Sequence, residues 1–558
     1  MADKYVCGGV SAPHFLASKA GARILAAGGT ALEAAVTTAA TLAVVYPHMN
    51  SIGGDSFWLV KKKGESPVAV CACGQAAAKA NVAWYGSLGL DAVPSRGSLA
   101  ALTVPGTVRG WSQLLDLCDQ PRKLSLRQLL SPAIEYACEG FAVSAGQVRT
   151  TASAVGMLKD CPGFARTFLK SDGTCFAPGE RLRQPALGRT LTRLADDGLE
   201  DFYEGEVAER MCRELTALGS PLTKEDFKQC AARLVEPLQL KAFGHTFYNL
   251  PEPTQGVASL AILGLLERIG VHPADTVAFI HAAVESTKLA FAWRNRYVED
   301  PTFMKCSTRD FLSDESLDAL FERFDARAAA RYDQRQASGD TVWFGVADKD
   351  GTIVSGIQSL YWEYGSGVVL GDTGVTMQNR GCAFTFDERQ ANCLRPGAVP
   401  FHTLNPAMVI TNDRRVIAYG TMGGEGQPQT QAAVILRHLF GMPLDRALAE
   451  PRWLMGRTWG ETTAKLRLES RFSADDVRQL RSLGHDVEVL GEPWSDVMGH
   501  AGAVSLDSDG RVTGASDPRC DGSFETEREF FSEKNEKDLH SSDRVDTMRS
   551  AFETKRAK

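Results

Sequence analysis

Apolar residues, mostly alanine, recur at helical spacing from residue 17 to residue 46, and two helices are expected there. Gly28-Gly29 stops the first, and Thr30 has the hydroxyl to cap the second. Beyond Pro47-His48-Met49-Asn50 and the glycine turn Ile52-Gly53-Gly54-Asp55, the run Phe57-Trp58-Leu59-Val60 reads as a buried strand, ended by the polar stretch Lys61 to Gly64. Residues 110–240 carry mostly helical patterns between polar loops. Residues 255–296 hold two more helices, the second from His281 to Arg296 with its apolar positions on one face. Residues 307–340 are charged and helical or loose. They end in Gln334-Arg335-Gln336-Ala337-Ser338-Gly339-Asp340, an exposed stretch with little to bury.

The pattern changes at Thr341. Val342 to Ala347 is strand-like, Asp348-Lys349-Asp350-Gly351 is a hairpin turn, and Thr352 to Ile357 returns as a second strand. Ala407 to Thr411 predicts a third strand, turning at Asn412-Asp413. Val416 to Tyr419 predicts a fourth, which runs through Gly423-Gly424 into a helix beginning near Gln427. Strands also fit 465–469, 486–490 and 502–506. Ser523 to Lys558, rich in Glu, Lys, Ser and Asp, reads as a solvated, disordered tail.

Composition narrows the function classes. With 558 residues, 44% hydrophobic and 23% charged, the chain has ample material for a buried core. A net charge of -7 argues against general binding to nucleic acid or acidic membranes. The 13 cysteines are odd in number and form no CxxC pair, which fits free thiols in a reducing compartment. The first residues lack a basic region followed by an apolar one, and Ala39 to Tyr46 is too short to span a bilayer. A cytoplasmic protein that binds neither membrane nor nucleic acid is expected. None of the 10 histidines sits in an HExxH array, and no P-loop or dinucleotide fingerprint is in context, so no metal or cofactor is expected.

Two elements suggest chemistry. A threonine that begins a chain can use its own α-amine as base, which requires a peptide cut before it. Thr341 opens a strand after a loose segment and meets that description, although many ordinary strands begin with threonine. Gly423-Gly424, between a strand and a helix, can turn backbone amides inward as an oxyanion hole, although Gly-Gly turns are common.

Taken in order, the motifs identify a resemblance to the γ-glutamyltranspeptidase family over nearly the whole chain. Pro47 to Phe57 resembles its Pro-x-x-Ser-Gly-Ile-Gly-Gly-Gly segment, and Thr103 to Val108 its Val-Pro-Gly-Thr-Val run. Pro251 to Gly256 is similar to its proline and glycine loop, His281 to Pro301 to its helix ending in Asp-Pro, and Thr341 to Gly351 to the segment that begins at its nucleophile. Asn405-Pro406, Gly423-Gly424 and Ser516-Asp517-Pro518-Arg519 complete the series. The resemblance implies an α+β fold, the four-layer αββα sandwich of N-terminal-nucleophile hydrolases with surrounding helical elements. It implies a precursor cut between Asp340 and Thr341, giving a heavy subunit of 1–340 and a light subunit of 341–522 followed by the tail 523–558. It implies Thr341 as nucleophile and base, Gly423 and Gly424 as oxyanion donors, and Ser359 at a second hydroxyl position beside the nucleophile. The partners implied are a small amide substrate and the two subunits of one precursor, and a dimer of such heterodimers is compatible with it.

The departures from the family fall on the substrate pocket. Its carboxylate-clamping arginine is replaced by Cys73, which reads as a small pocket-lining residue more readily than as a second nucleophile. Its amine-binding glutamine and aspartate become Arg380 and Ala383, its asparagine becomes Tyr361, and its serine pair becomes His402-Thr403. An acyl group without an α-amine but with a carboxylate is inferred, held by Arg380, unless that arginine is a structural brace. Tyr361 and His402 are either pocket residues or packing ones. This pattern resembles the acylase and amidohydrolase branch, with an oxamate-like or glutaryl-like acyl group and acyl transfer as a side activity. The alternatives are a γ-glutamyltransferase or glutathione hydrolase with an unusual clamp, and an unprocessed, non-enzymatic binding or scaffold relative.

Overall fold

The computed structural model describes residues 8–119, 123–332, 339–456, 458 and 463–528. Its centre is a pair of antiparallel sheets. The first runs in the order β13–β1–β7–β8–β2–β3–β4, with β1 at Gly9–Ala12, β2 at Asp55–Lys61, β3 at Val68–Ala72, β4 at Arg233–Val235, β7 at Asp340–Ala347, β8 at Ile353–Tyr361 and β13 at Ser523–Thr526. The second runs β12–β11–β10–β9–β6–β5, with β5 at Leu238–Ala242, β6 at His245–Asn249, β9 at Ala407–Ile410, β10 at Val416–Thr421, β11 at Ala501–Leu506 and β12 at Val512–Ser516.

Helices α1 (Phe15–Ala26), α2 (Ala31–Val45) and α3 (Thr107–Asp116) cover the outer face of the first sheet. Helices α4 (Gly256–Ile269), α5 (Thr276–Tyr297) and α6 (Gly426–Leu439) form the layer outside the second, with α4 and α6 directly on its strands. The result is the four-layer αββα sandwich that the resemblance implied. Among the described residues, no helix is long and apolar enough to cross a membrane.

Local chemistry explains these elements. Thr30 caps α2 in a complete capping box with Glu33, which satisfies otherwise orphaned first-turn amides. All fifteen residues of α2 are buried, so its alanines let α1 and the sheet approach closely. Between the sheets lies a separate apolar core that includes Phe57, Leu59, Ile357, Met408 and Val504. Trp343, on β7, crosses it and donates its indole N–H to Ser355 Oγ at 2.9 Å. Its ring lies over Gly420 and Gly502, which face each other across β10 and β11. A Cβ added at Gly420 would stand 2.2 Å from that ring, so the closeness of the sheets depends on the missing side chain.

Several expectations need correction. Helix α5 begins at Thr276 rather than His281, with Asp275 as its N-cap, and it is buried well beyond one face. Its polar residues His281, Glu285 and Lys288 are accommodated by hydrogen bonds rather than by solvent. Residues 523–526, expected to begin the tail, form edge strand β13 against β1, because Phe524 packs beneath the glycines of the neighbouring strands. Residues 529–558 of that tail lie outside the described residues, as do 334–338 of the stretch before Thr341. Gly339 and Asp340 were expected to be exposed and are buried, because β7 begins at Asp340 and draws them under the second sheet.

The segments before and after Thr341 interleave. Both sheets contain strands from each, so a cut at Thr341 leaves one shared pair of layers. Gly420→Ala is expected to cost about 1–3 kcal/mol by overpacking against Trp343. It should also lower activity, since Trp343 is two residues from Thr341. Chemical denaturation beside a rate assay measures both, and an unchanged midpoint would contradict the close-packing argument.

Candidate active site

The site is built at the open end of β7 and β8. Their pairing sets Val342 opposite Gln358 and then Asp340 opposite Tyr361, so β8 carries one extra residue. This bulge holds Tyr361 at φ +85°, a conformation that costs energy for a residue with a side chain. It also turns Ser359 toward the start of β7. In the uncleaved chain Thr341 Oγ1 donates to the Asp340 carbonyl oxygen at 2.6 Å, and Ser359 Oγ donates to the same oxygen. The Tyr361 amide holds Ser359 Oγ at 2.8 Å. Two hydroxyls therefore converge on the carbonyl of the one peptide bond expected to break. Thr341 itself is fully buried.

Gly423 and Gly424 form the turn between β10 and α6, at φ +120° and +52°. Both angles lie where a side chain is disfavoured, which explains the glycine pair. The turn is braced from behind. Gln255 Nε2 donates to the carbonyls of Gly424, at 2.8 Å, and Thr403, at 2.6 Å. Arg294 donates to Gln255 Oε1 at 2.7 Å and pairs with Glu425 at 2.5 Å, with both charged side chains excluded from solvent. On the other side Thr458 Oγ1 donates to the Val497 carbonyl at 2.7 Å and lies 3.4 Å from the Gly423 carbonyl oxygen, and the Thr458 carbonyl accepts from the Gly339 amide at 3.1 Å. Gly339 lies against Thr403, Tyr361 and Gly424, so the segment leading into the bond expected to break sits over the turn.

The substrate-side positions also meet. Arg380 is 1% exposed and lies over the Tyr361 ring at 3.8 Å. Its two terminal nitrogens have no hydrogen-bond partner among the described residues. His402 is buried with both ring nitrogens unpartnered, and Phe57 packs against its ring. Burial, and then the Arg380 charge, holds His402 well below the usual histidine range, so it is neutral. Thr403 Oγ1 is buried and unpartnered. Cys73, just beyond β3, is buried, and burial pushes its thiol well up, which disfavours a thiolate.

The sequence reading missed Asp55, Gln255, Arg294, Glu425 and Thr458. Asp55 pairs with Ser359 across β2 and β8, so both side chains leave the same face. Its Oδ1 accepts from the amides of Gly74, at 3.1 Å, and Gly106, at 2.9 Å. Its Oδ2 has no partner of hydrogen-bond geometry and lies 3.6 Å from His402 Nε2. Burial lifts the Asp55 carboxyl to about 7, against the pull of the Gly74 amide and Arg380. The only hint in the sequence was an acid at the third glycine position of the resembling segment.

His281, Glu285 and His485 lie close enough to suggest a metal site, with ligand atoms within 4.8 Å of one another. The donors are already engaged. His281 contacts His485 and the Asp325 carbonyl, each at 2.8 Å, while Glu285 takes Lys288 at 2.6 Å and the Ala330 amide at 3.0 Å. An ammonium group at the site opposes a cation, so this network serves to tie α5 to its surroundings.

Two expectations follow from the buried charges and histidines. Glu425→Ala leaves Arg294 buried without its carboxylate and is expected to cost about 3–5 kcal/mol, with slower cleavage before Thr341 as the turn loosens. Denaturation together with a processing time course checks it. His48 packs against Tyr46 with ring centroids 4.2 Å apart and tilted by 55°, both its ring nitrogens lack a hydrogen-bond partner among the described residues, and burial holds its pKa well below the ordinary value. Below pH about 6.5 the unfolded histidine takes a proton that the folded one refuses, so its contribution to stability falls as pH falls. His48→Leu should therefore gain stability relative to the parent at pH 5 compared with pH 8. Equal differences at the two pH values would contradict this.

Comparison with known proteins agrees with this geometry. The sequence profile of the Gamma-glutamyltranspeptidase family matches residues 17–526. An oxamate amidohydrolase proenzyme of Klebsiella pneumoniae is 47% identical over 92% of this chain and 97% of its own length. A glutathione hydrolase-like proenzyme of Bacillus subtilis, YwrD, is 41% identical over the same shares. The crystal structure of a cephalosporin acylase from Bacillus halodurans superposes with a TM-score of 0.86 at 32% identity, covering 93% of this chain and 95% of that one. The chain thus belongs to the γ-glutamyltranspeptidase family, as an amide hydrolase of the N-terminal-nucleophile type.

Proposed function

We propose that the chain is a self-processing amidohydrolase that cleaves the amide of a small acyl group bearing a carboxylate and no α-amine, oxamate-like or glutaryl-like. The observation that carries this reading is the buried Arg380 guanidinium, whose terminal nitrogens find no hydrogen-bond partner among the described residues. A buried cation in that state is costly unless an anion completes it. The similarity to an oxamate amidohydrolase proenzyme supports the same substrate class.

In the precursor, Thr341 Oγ attacks the Asp340 carbonyl carbon while Ser359 steadies its oxygen. The C–N bond breaks as the hydroxyl proton passes to the Thr341 nitrogen, the chain is carried on the threonine oxygen as an ester, and water hydrolyses that ester to release Asp340 as a free carboxyl and restore the hydroxyl. Thr341 then has a free α-amine. That amine takes the hydroxyl proton as Oγ attacks the substrate amide, and the oxyanion is held by the Gly423 and Gly424 amides. The leaving amine departs with a proton, and water resolves the acyl-enzyme along the same path. The heavy and light chains stay together through their shared sheets. We also place the enzyme in the cytoplasm, a setting supported by the twelve described cysteines, all free thiols.

A γ-glutamyl hydrolase is the second reading. Asp55 puts a carboxylate in the same pocket as Arg380, which would suit a zwitterion, and one relative is described as glutathione hydrolase-like. Activity on a γ-glutamyl anilide decides between them.

Intact mass spectrometry of the parent and Thr341→Ala tests the mechanism. The parent is expected as two fragments that break before Thr341, and the variant as one whole chain. A folded parent that stays whole would return the scaffold reading. In the processed enzyme, Arg380→Leu should lower kcat/KM for oxamate by about 10- to 100-fold, the scale of a lost charged hydrogen bond.

A further inference from the structure

We infer that Asp55 is a specificity residue of the acyl pocket, presenting Oδ2 as an acid hydroxyl to the carboxylate that Arg380 binds, so that the anion enters together with one proton. This rests on the reading of Arg380 given above. The geometry has three parts. Oδ1 is fixed by the Gly74 and Gly106 amides, so the carboxyl cannot swing away. Oδ2 is fully buried and makes no hydrogen bond of good geometry among the described residues, with only the Gln378 side chain drawn toward the carboxyl. The register opposite Ser359 aims it along the face where the candidate nucleophile lies.

Charge balance decides what Oδ2 can do. The groups that face Asp55 are Arg380, His402, the Gln378 amide and Cys73, with Cys230 and Tyr203 close behind. His402 is neutral, and burial holds Tyr203 and the thiols protonated. One guanidinium and one carboxylate are therefore the charges in play, together with the Thr341 α-amine of the processed enzyme, which must be neutral to act as base and whose own proton uptake Asp55→Asn would retain. Adding a substrate carboxylate to an ionised Asp55 leaves a net negative charge in a dry pocket, with two anions competing for one cation. A proton taken from solvent by Asp55 removes the excess, and its O–H then donates to the incoming anion. Burial already lifts the carboxyl to about 7, so a modest further push by an incoming anion completes the change. No covalent bond other than this O–H forms or breaks. An acyl group with an α-ammonium would find no fixed anion once Asp55 is protonated, so selection against acyl groups that carry an α-amine is expected.

The test uses processed enzyme and oxalate as the probe. Calorimetric titration in buffers of different ionisation enthalpy reads the protons taken up on binding. The parent is expected to take up about one proton per oxalate at pH 8 and progressively less toward pH 6, with affinity falling about tenfold per pH unit above about 7. Asp55→Asn keeps a donor without a titrating group, so it should bind oxalate without the uptake that belongs to Asp55, leaving at most that of the Thr341 amine, and with a flatter pH profile. Uptake in the variant equal to that of the parent, or none in the parent at any pH, would overturn the role of Asp55 while leaving Arg380 in place. Parent that hydrolyses a γ-glutamyl anilide, with that activity abolished by Asp55→Asn, would overturn it in favour of an amine-binding carboxylate. Failure of the parent to bind oxalate at any pH, or equal binding by Arg380→Leu, would overturn the Arg380 reading itself and the inference with it. The pH profile of kcat/KM for oxamate provides a second readout on the parent alone.

Discussion

One register governs the site. Because β8 carries an extra residue where Asp340 meets Tyr361, the hydroxyls of Thr341 and Ser359 arrive at the same carbonyl oxygen. Without the bulge, Ser359 would follow the alternation of its strand, and the period of two would decide its direction. The strained Tyr361 backbone is part of the same feature, and its ring in turn supports Arg380. The candidate nucleophile, the second hydroxyl and the buried Arg380 cation are thus coupled through three consecutive residues of one strand.

Two sheets are needed to make that register useful. The first carries Thr341, Ser359 and Asp55. The second carries β10, which delivers the Gly423-Gly424 turn. Trp343 and the glycines beneath it set how near the layers come, and the Arg294, Gln255 and Glu425 brace sets where the turn points. A buried ion pair is a poor source of net stability, but breaking one is expensive. Its value lies in holding one backbone arrangement near the reacting bond.

The pocket, by contrast, is left incomplete by the protein. Arg380, Asp55, His402 and Thr403 are buried with polar atoms unpartnered, in a chain whose other buried polar groups mostly find hydrogen bonds. Concentration of such atoms beside the candidate nucleophile is the signature of a place shaped for a small polar guest.

Much of this was legible in the amino-acid sequence alone. The alanine-rich helices and the Thr30 cap, the strand and hairpin after Thr341, and the Gly-Gly turn before a helix all follow from local periodicity and backbone preference, which act over a few residues. The ordered series of motifs pointed to the family. The candidate residues Thr341, Ser359, Arg380, Tyr361, His402, Thr403, Cys73, Gly423 and Gly424 do come together in space. Only the tertiary structure decided that Gly339 and Asp340 are buried, that residues 523–526 close a sheet edge, and that α5 is sunk among partners for its charges. Each of these depends on a neighbour far away in the chain. Asp55 is the sharpest case. In sequence it ends a glycine turn, and nothing local distinguishes it from an ordinary turn acid. Its register against Ser359, two amides from distant loops, and the lack of a partner for Oδ2 are products of chain segments that meet only in the fold.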